Sequence, residues 1–227
     1  MGVWLKRLAS VGPATFRWVR GWRWQFQLLA AVFWCLTLPL LIHVWYITFG
    51  GNFHTVVPGA VYRCGQPSGD ELRRICSVYH IRTVINLRGD NTEQWYYDEH
   101  DAGRAMGVRV VDAGLWATQP PPVEPFRILV ETLADAPGPV LVHCNSGGDR
   151  SGLASALAVL LRSDGTLDQA RRQLSLYYGH SPFGQAACHE RLLDRYEEWL
   201  AKNNWTHSPG RLRTWAFNVY VPDECWP

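Results

Sequence analysis

The longest apolar run in the chain is LLAAVFWCLTLPLLIHVWYITF, residues 28–49, which holds no Asp, Glu, Lys or Arg. A helix needs about 20 such residues to cross the hydrocarbon core of a bilayer. Trp22 and Trp24 stand at one end, and Trp45 and Tyr46 at the other, as interfacial aromatic residues do. A core helix this long and this uniformly apolar is uncommon. A cleaved signal peptide needs a small-residue cleavage site, and HVWYITFGGNFH offers a poor one. The pattern therefore predicts a retained transmembrane helix.

Beyond residue 50 the pattern changes to short segments of alternating type. GGNFHTVVPGAVYRCGQPS reads as a linker leading into an extended segment, and Ser68 with Glu71 forms a capping-box pair that opens a helix through Tyr79. IRTVINLR is β-branched and alternating, so Ile81–Leu87 is expected to be a strand. Asn91 and Thr92 open a second helix that Gly107 closes. VRVVDA is a second strand. GLWATQPPP is a loop, held open by Pro120–Pro122. Residues 123–136 suit a helix, with Pro125 tolerated in its first turn. Val140–His143 is an apolar strand, followed by a helix over Ser151–Ser163. Thr166 and Gln169 cap another helix, and a last one covers about residues 185–202. The Trp-rich final segment shows no clear period.

Strands that alternate with helices imply an α/β fold with a largely parallel central sheet flanked by helices. The expected organisation is a basic, aromatic N-terminal segment (1–27), the transmembrane helix (28–49), a linker (50–58), one catalytic domain (59–204) and a C-terminal tail (205–227).

Charge adds direction. The net charge of +2 is too small to argue for a nucleic-acid partner. Lys6, Arg7, Arg17, Arg20 and Arg23 precede the apolar run without any acid, whereas residues 50–69 hold only Arg63 among Lys and Arg. The positive-inside rule then puts the N-terminus in the cytoplasm and the domain on the far side, which in a bacterium is the periplasm. The six cysteines are Cys35, Cys64, Cys76, Cys144, Cys188 and Cys225. Their spacing does not match a zinc site. An exported domain can oxidise some of them, but sequence does not give the pairing.

The candidate chemistry sits in HCNSGGDRSG, residues 143–152, between the apolar strand PVLVH and the apolar helix GLASALAVLL. Ligands of open α/β sheets bind at the carboxyl ends of strands, and Cys144 occupies such an end. Asn145, Ser146, Gly147 and Gly148 can wrap into a nest of inward-facing backbone N–H groups, with the two glycines permitting positive φ. The following helix adds its N-terminal dipole. Arg150 supplies a planar fork matched to two phosphate oxygens. The run thus reads as an anion cradle over a thiol whose surroundings favour the thiolate. In-line attack on a phosphomonoester would give a phosphocysteine that water hydrolyses. Ser151 is placed to hydrogen-bond the departing thiolate, and His143 to orient the loop.

HCNSGGDRSG resembles the active-site loop of the cysteine-dependent tyrosine and dual-specificity phosphatase superfamily. VYRCGQPS and IRTVINLRGDN are similar to segments of its atypical dual-specificity branch in bacteria, plants and fungi. The resemblance covers roughly residues 56–200. It implies a dual-specificity-phosphatase-like fold with Cys144 as nucleophile, Arg150 and the loop amides as phosphate ligands, and no metal or cofactor. Two departures stand out: Cys64 replaces a small hydroxyl residue common in the family, and the loop lacks the Lys of many phosphoinositide-directed relatives.

Two carboxylates compete as proton donor to the leaving oxygen. Asp112 ends a strand 32 residues before Cys144, a spacing similar to that of many family members. Asp149 lies inside the loop, where some bacterial and lipid-directed relatives carry an Asp thought to be the acid. Arg88 and Trp116 are candidates to face the site, His180 reads as structural, and Tyr196 and Trp199 as core. The expected substrates are phosphoproteins (Tyr or Ser/Thr) or phosphorylated lipids and glycolipids near the membrane. The competing readings are a non-catalytic phosphate-binding module and a sulfurtransferase. The sequence sets no oligomeric state.

Overall fold

The computed structural model describes residues 13–181 and 187–222, with side chains from residue 24 onward. The chain divides into two compact units, Met1–Trp45 and Tyr46–Pro227. The first consists, in its described part, of the body of α1, Pro13–Phe49, a continuous helix that contains Pro39. It extends well N-terminal of the apolar run. Its stretch Trp24–Phe49 is long and apolar enough to cross a membrane, and its large apolar side chains are exposed.

The second unit is built on five strands. They are β1 (His54–Val57), β2 (Val61–Cys64), β3 (Thr83–Asn86), β4 (Arg109–Asp112) and β5 (Val140–His143), in the order β1-β2-β5-β3-β4. β1 pairs antiparallel with β2, and all other pairings are parallel. The expected parallel sheet is present, with one antiparallel edge. VLVH is buried at every position of central β5, as a strand covered on both faces requires. The parallel register aligns Cys64, His143, Asn86 and Asp112 in one row at the carboxyl edge.

Helices cover both faces. α2 (Gly69–Tyr79) and α3 (Gln94–Met106) cover one. The other carries α4 (Val123–Asp135), α5 (Asp149–Arg162), α7 (Cys188–Lys202) and α8 (Pro209–Asn218), with the short α6 (Leu167–Arg171) beside α5. α5 is buried from Ser151 to Leu160, as a helix apolar on all sides must be. The Ser68 and Thr166 capping boxes both form, and Gly107 ends α3 in the left-handed region at φ 64°.

Three expectations change. The 50–58 linker contains a strand: β1, His54–Val57, closes through Ala60 N–H to Val57 O at 3.0 Å and extends the sheet. The tail is not aperiodic. Ser208 caps α8 with Pro209 in its first turn, and Leu212, Trp215, Ala216 and Tyr220 join the main core. The domain therefore runs past both expected limits, 59 and 204. Helix α5 opens at Asp149, two residues before Ser151. The part of the last helix expected at 185–186 lies outside the described residues. Tyr196 is core as expected, with Trp199 packed against it. Cys64 and Cys76 are free thiols and Cys188 is disulfide-bonded; Cys225 lies outside the described residues.

Candidate active site

Cys144 follows the last residue of β5 and is buried. The loop Asn145–Gly148 then turns the chain into α5. What shapes the loop is the fate of its carbonyls. Asn145 O accepts from Gln66 N at 3.0 Å, and Ser146 O from Asn52 Nδ2 at 3.0 Å. Gly147 O and Gly148 O accept from Arg63 Nη2 at 2.7 and 3.0 Å. All four successive carbonyls are thus held by donors behind the loop. In a trans peptide the N–H points opposite to the C=O, so the amides of residues 146–149 turn toward the cup. Gly147 N–H donates to Cys144 Sγ at 3.3 Å, inside that cup.

The two glycines act differently from expectation. Gly147 has φ +78°, and a Cβ there would meet the Cys64 and Gly65 backbone at 2.8 Å. Gly148 has φ −83°, so it needs no left-handed freedom. It is glycine because a Cβ would come within 2.7 Å of Gly179 O.

Arg63 is fully buried on β2 and also donates to Gln173 O at 2.9 Å, with its guanidinium 4.3 Å from the Tyr178 ring centroid. Burial pushes its pKa down to about 10, opposed chiefly by Cys144. It remains a cation at neutral pH. Asn52, buried with φ 49°, clips Ser146 O to Tyr178 O, the latter at 2.9 Å.

On the other face of the sheet, His143 Nε2 pairs with Glu99 Oε1 at 2.9 Å, both side chains fully buried. Burial pushes the Glu99 carboxyl upward, but the charge and hydrogen bond of His143 and the amide of Gln66 hold it below its ordinary range. His143 is anchored from α3, as an orienting residue requires. Gln66 also accepts from Arg88 Nη1 at 3.1 Å, and the Arg88 guanidinium carbon lies 3.6 Å from the Trp95 ring centroid. Arg88 is thus held at the carboxyl edge by Gln66 and Trp95.

Arg150 Nη1 lies 3.4 Å from both Leu87 O and Leu115 O, the carbonyls just past β3 and β4. Ser151 is buried, and its Oγ donates to Cys64 O at 3.3 Å. A hydroxyl has one proton, so its service to the sulfur requires a rotation. The two competing acids are separated in space. Asp112 Oδ1 accepts from Asn86 Nδ2 at 2.8 Å and its Oδ2 from Tyr96 OH at 2.8 Å, with His100 Nε2 at 3.4 Å. Both of its oxygens are engaged, one by β3 and the other by α3. Asp149 is the first residue of α5, directly after the loop, 28% exposed, with Oδ1 2.7 Å from His180 Nδ1. Trp116 is half-exposed on the loop after β4. Among the described residues no cluster of three or more His, Cys, Asp or Glu side chains is arranged for a metal.

Sequence reasoning missed Arg63, Asn52, Glu99 and the placement of His180. Only Arg63 left a signal: a lone charge in the apolar strand VYRC.

A model of the tyrosine phosphatase family matches residues 116–162. Among solved structures, the core catalytic domain of the PP-IP phosphatase SIW14 from S. cerevisiae is 20% identical. The match covers 68% of this chain and 94% of that one, with a TM-score of 0.51. Tk-PTP in its active form is 19% identical over 65% of this chain and 97% of its own, with a TM-score of 0.51. PTPMT1 is 17% identical over 66% and 99%, with a TM-score of 0.50. These likenesses show the fold. No curated protein matches the chain significantly.

Proposed function

We propose that this chain, a member of the cysteine-dependent tyrosine and dual-specificity phosphatase superfamily and itself a cysteine-dependent phosphatase, hydrolyses phosphomonoesters through a phosphocysteine at Cys144. The observation that carries this reading is the set of four loop carbonyls held outward by Gln66, Asn52 and Arg63. That arrangement leaves a preorganised ring of N–H donors around the thiol. Such donors stabilise charge that develops on equatorial phosphoryl oxygens without reorganising during reaction.

In the first step the Cys144 thiolate attacks phosphorus, a P–S bond forms, and the bond to the leaving oxygen breaks. Arg150 and the loop amides hold the three equatorial oxygens. The leaving oxygen takes a proton from Asp149. Asp149 is preferred over Asp112 because both Asp112 oxygens are engaged at the strand ends. In addition, the following loop, AGLWATQPPP, contains no carboxylate. In the second step water attacks phosphorus and returns a proton to Asp149, and the thiolate departs.

The substrates this site fits are phosphorylated proteins and phosphorylated lipids or glycolipids. α1 would retain the enzyme on a membrane with its N-terminus cytoplasmic, which raises its effective concentration toward membrane-borne phosphate esters. The test is a rapid denaturing quench during turnover of a radiolabelled aryl phosphate by the full-length chain in detergent. Transient label mapping to Cys144 supports the mechanism. Turnover with label on another residue, or with none on Cys144, contradicts it.

A further inference from the structure

Gly179 sits in the left-handed region at φ 78° and closes a short 3-10 turn over Leu176–Tyr178. His180 N–H then donates back to Ser175 O at 3.1 Å. The missing Cβ at Gly148 allows this backbone to lie directly on the phosphate loop. The result is a fully buried imidazole whose Nδ1 is 2.7 Å from Asp149 Oδ1. Among the described residues its Nε2 has no hydrogen bond, and Glu190 Oε1 of α7 lies 3.4 Å from it. The His189 ring is 6.5 Å away between centroids. A buried imidazole between two carboxylates, one of them in the catalytic loop, does more than fill space.

We propose that His180 is the positioning residue for the proton that Asp149 delivers; this rests on the reading of Asp149 as the acid. The carboxylate partner sets the tautomer, with the proton on Nδ1. Nδ1–H donates to Oδ1, so that oxygen is committed as an acceptor and the acidic proton resides on Oδ2. The same bond fixes rotation of the carboxyl group of the partly exposed Asp149 and leaves Oδ2 as the oxygen that meets the leaving group. When Oδ2 gives its proton to the leaving oxygen, Asp149 becomes a carboxylate and the bond from His180 becomes charge-assisted and stronger. In the second step water's proton returns to Oδ2. His180 keeps its own proton throughout.

A purely structural staple predicts different kinetics from a positioning residue. Protonation matters for a poor leaving group such as phenol and little for p-nitrophenol. The readout is the ratio of kcat for phenyl phosphate to kcat for p-nitrophenyl phosphate, measured on the full-length chain in detergent. The ratio does not depend on how much of a variant is folded. His180→Gln has no donor where Nδ1 sits, and the ratio is expected to fall about tenfold, a fraction of what a general acid contributes. His180→Asn places an amide N–H near that position and should recover much of the loss. In an Asp149→Asn background, His180→Gln should add nothing to the ratio. A His180→Gln variant with the native ratio, or one whose effect persists without Asp149, overturns the proposal. If Asp149→Asn alone leaves the ratio unchanged, it is the reading of Asp149 as the acid that fails.

Discussion

Arg63 and Glu99 are the charged side chains without solvent exposure on which the site's geometry depends. Each is costly to bury and each is paired: both terminal nitrogens of Arg63 by backbone carbonyls, and Glu99 by His143 and Gln66. Two other buried thiols lie in the domain, Cys64 and Cys76. Burial pushes Cys76 up to about 11 and Cys64 well above its ordinary value, the latter with Cys144 adding to the effect. Both stay protonated and poorly nucleophilic at neutral pH. The Glu99 carboxyl is held low in the folded state, so its stabilisation is present above the ordinary glutamate pKa of about 4.3 and is lost as pH falls through its depressed native value. Glu99→Gln is therefore expected to cost about 1–3 kcal/mol at neutral pH. Urea denaturation at pH 7 and again near pH 3.5 checks this: the difference between native and variant should shrink at the lower pH. A constant difference would contradict the assignment.

At the scale of elements, the core of the site was legible because one short run combined three independent signals. An apolar strand, a Gly-rich turn and an apolar helix follow one another in PVLVHCNSGGDRSGLASALAVLL, and each forms as the pattern demands. The capping boxes of α2 and α6 were equally legible, since the caps are local chemistry. β1 and β2 were not recognised as a paired edge. Each is four residues long, too short to establish a period, although the Pro58-Gly59 turn between them was readable. α8 hid its apolar stripe, Leu212, Trp215 and Ala216, in a ten-residue helix that begins with Pro209 and Gly210. The choice between Asp112 and Asp149 stayed open because chain spacing does not report hydrogen bonds. Tyr96 on α3 and Asn86 on β3 occupy Asp112, while His180 arrives at Asp149 from a turn 31 residues downstream. Such partners are set by tertiary packing, and no local pattern encodes them.

At the scale of the whole molecule, an α/β domain with the phosphatase-like fold follows a helix whose exposed apolar surface has the length and composition of a membrane span. A retained anchor predicts that the full-length chain stays in the membrane pellet after alkaline carbonate extraction, with its N-terminus intact. Release with loss of the first 50 or so residues would identify a signal sequence instead. The central claim concerns the chemistry rather than the anchor: Cys144 in its ring of amides is the nucleophile. The most direct test is phosphate release from p-nitrophenyl phosphate by the full-length chain in detergent, with reductant and a metal chelator, beside Cys144→Ser. The account predicts turnover by the native chain and only background release by the variant. Equal release by both would contradict it. Binding of phosphate without turnover by the native chain would contradict it too, and would make the cradle a binding module rather than a catalytic site.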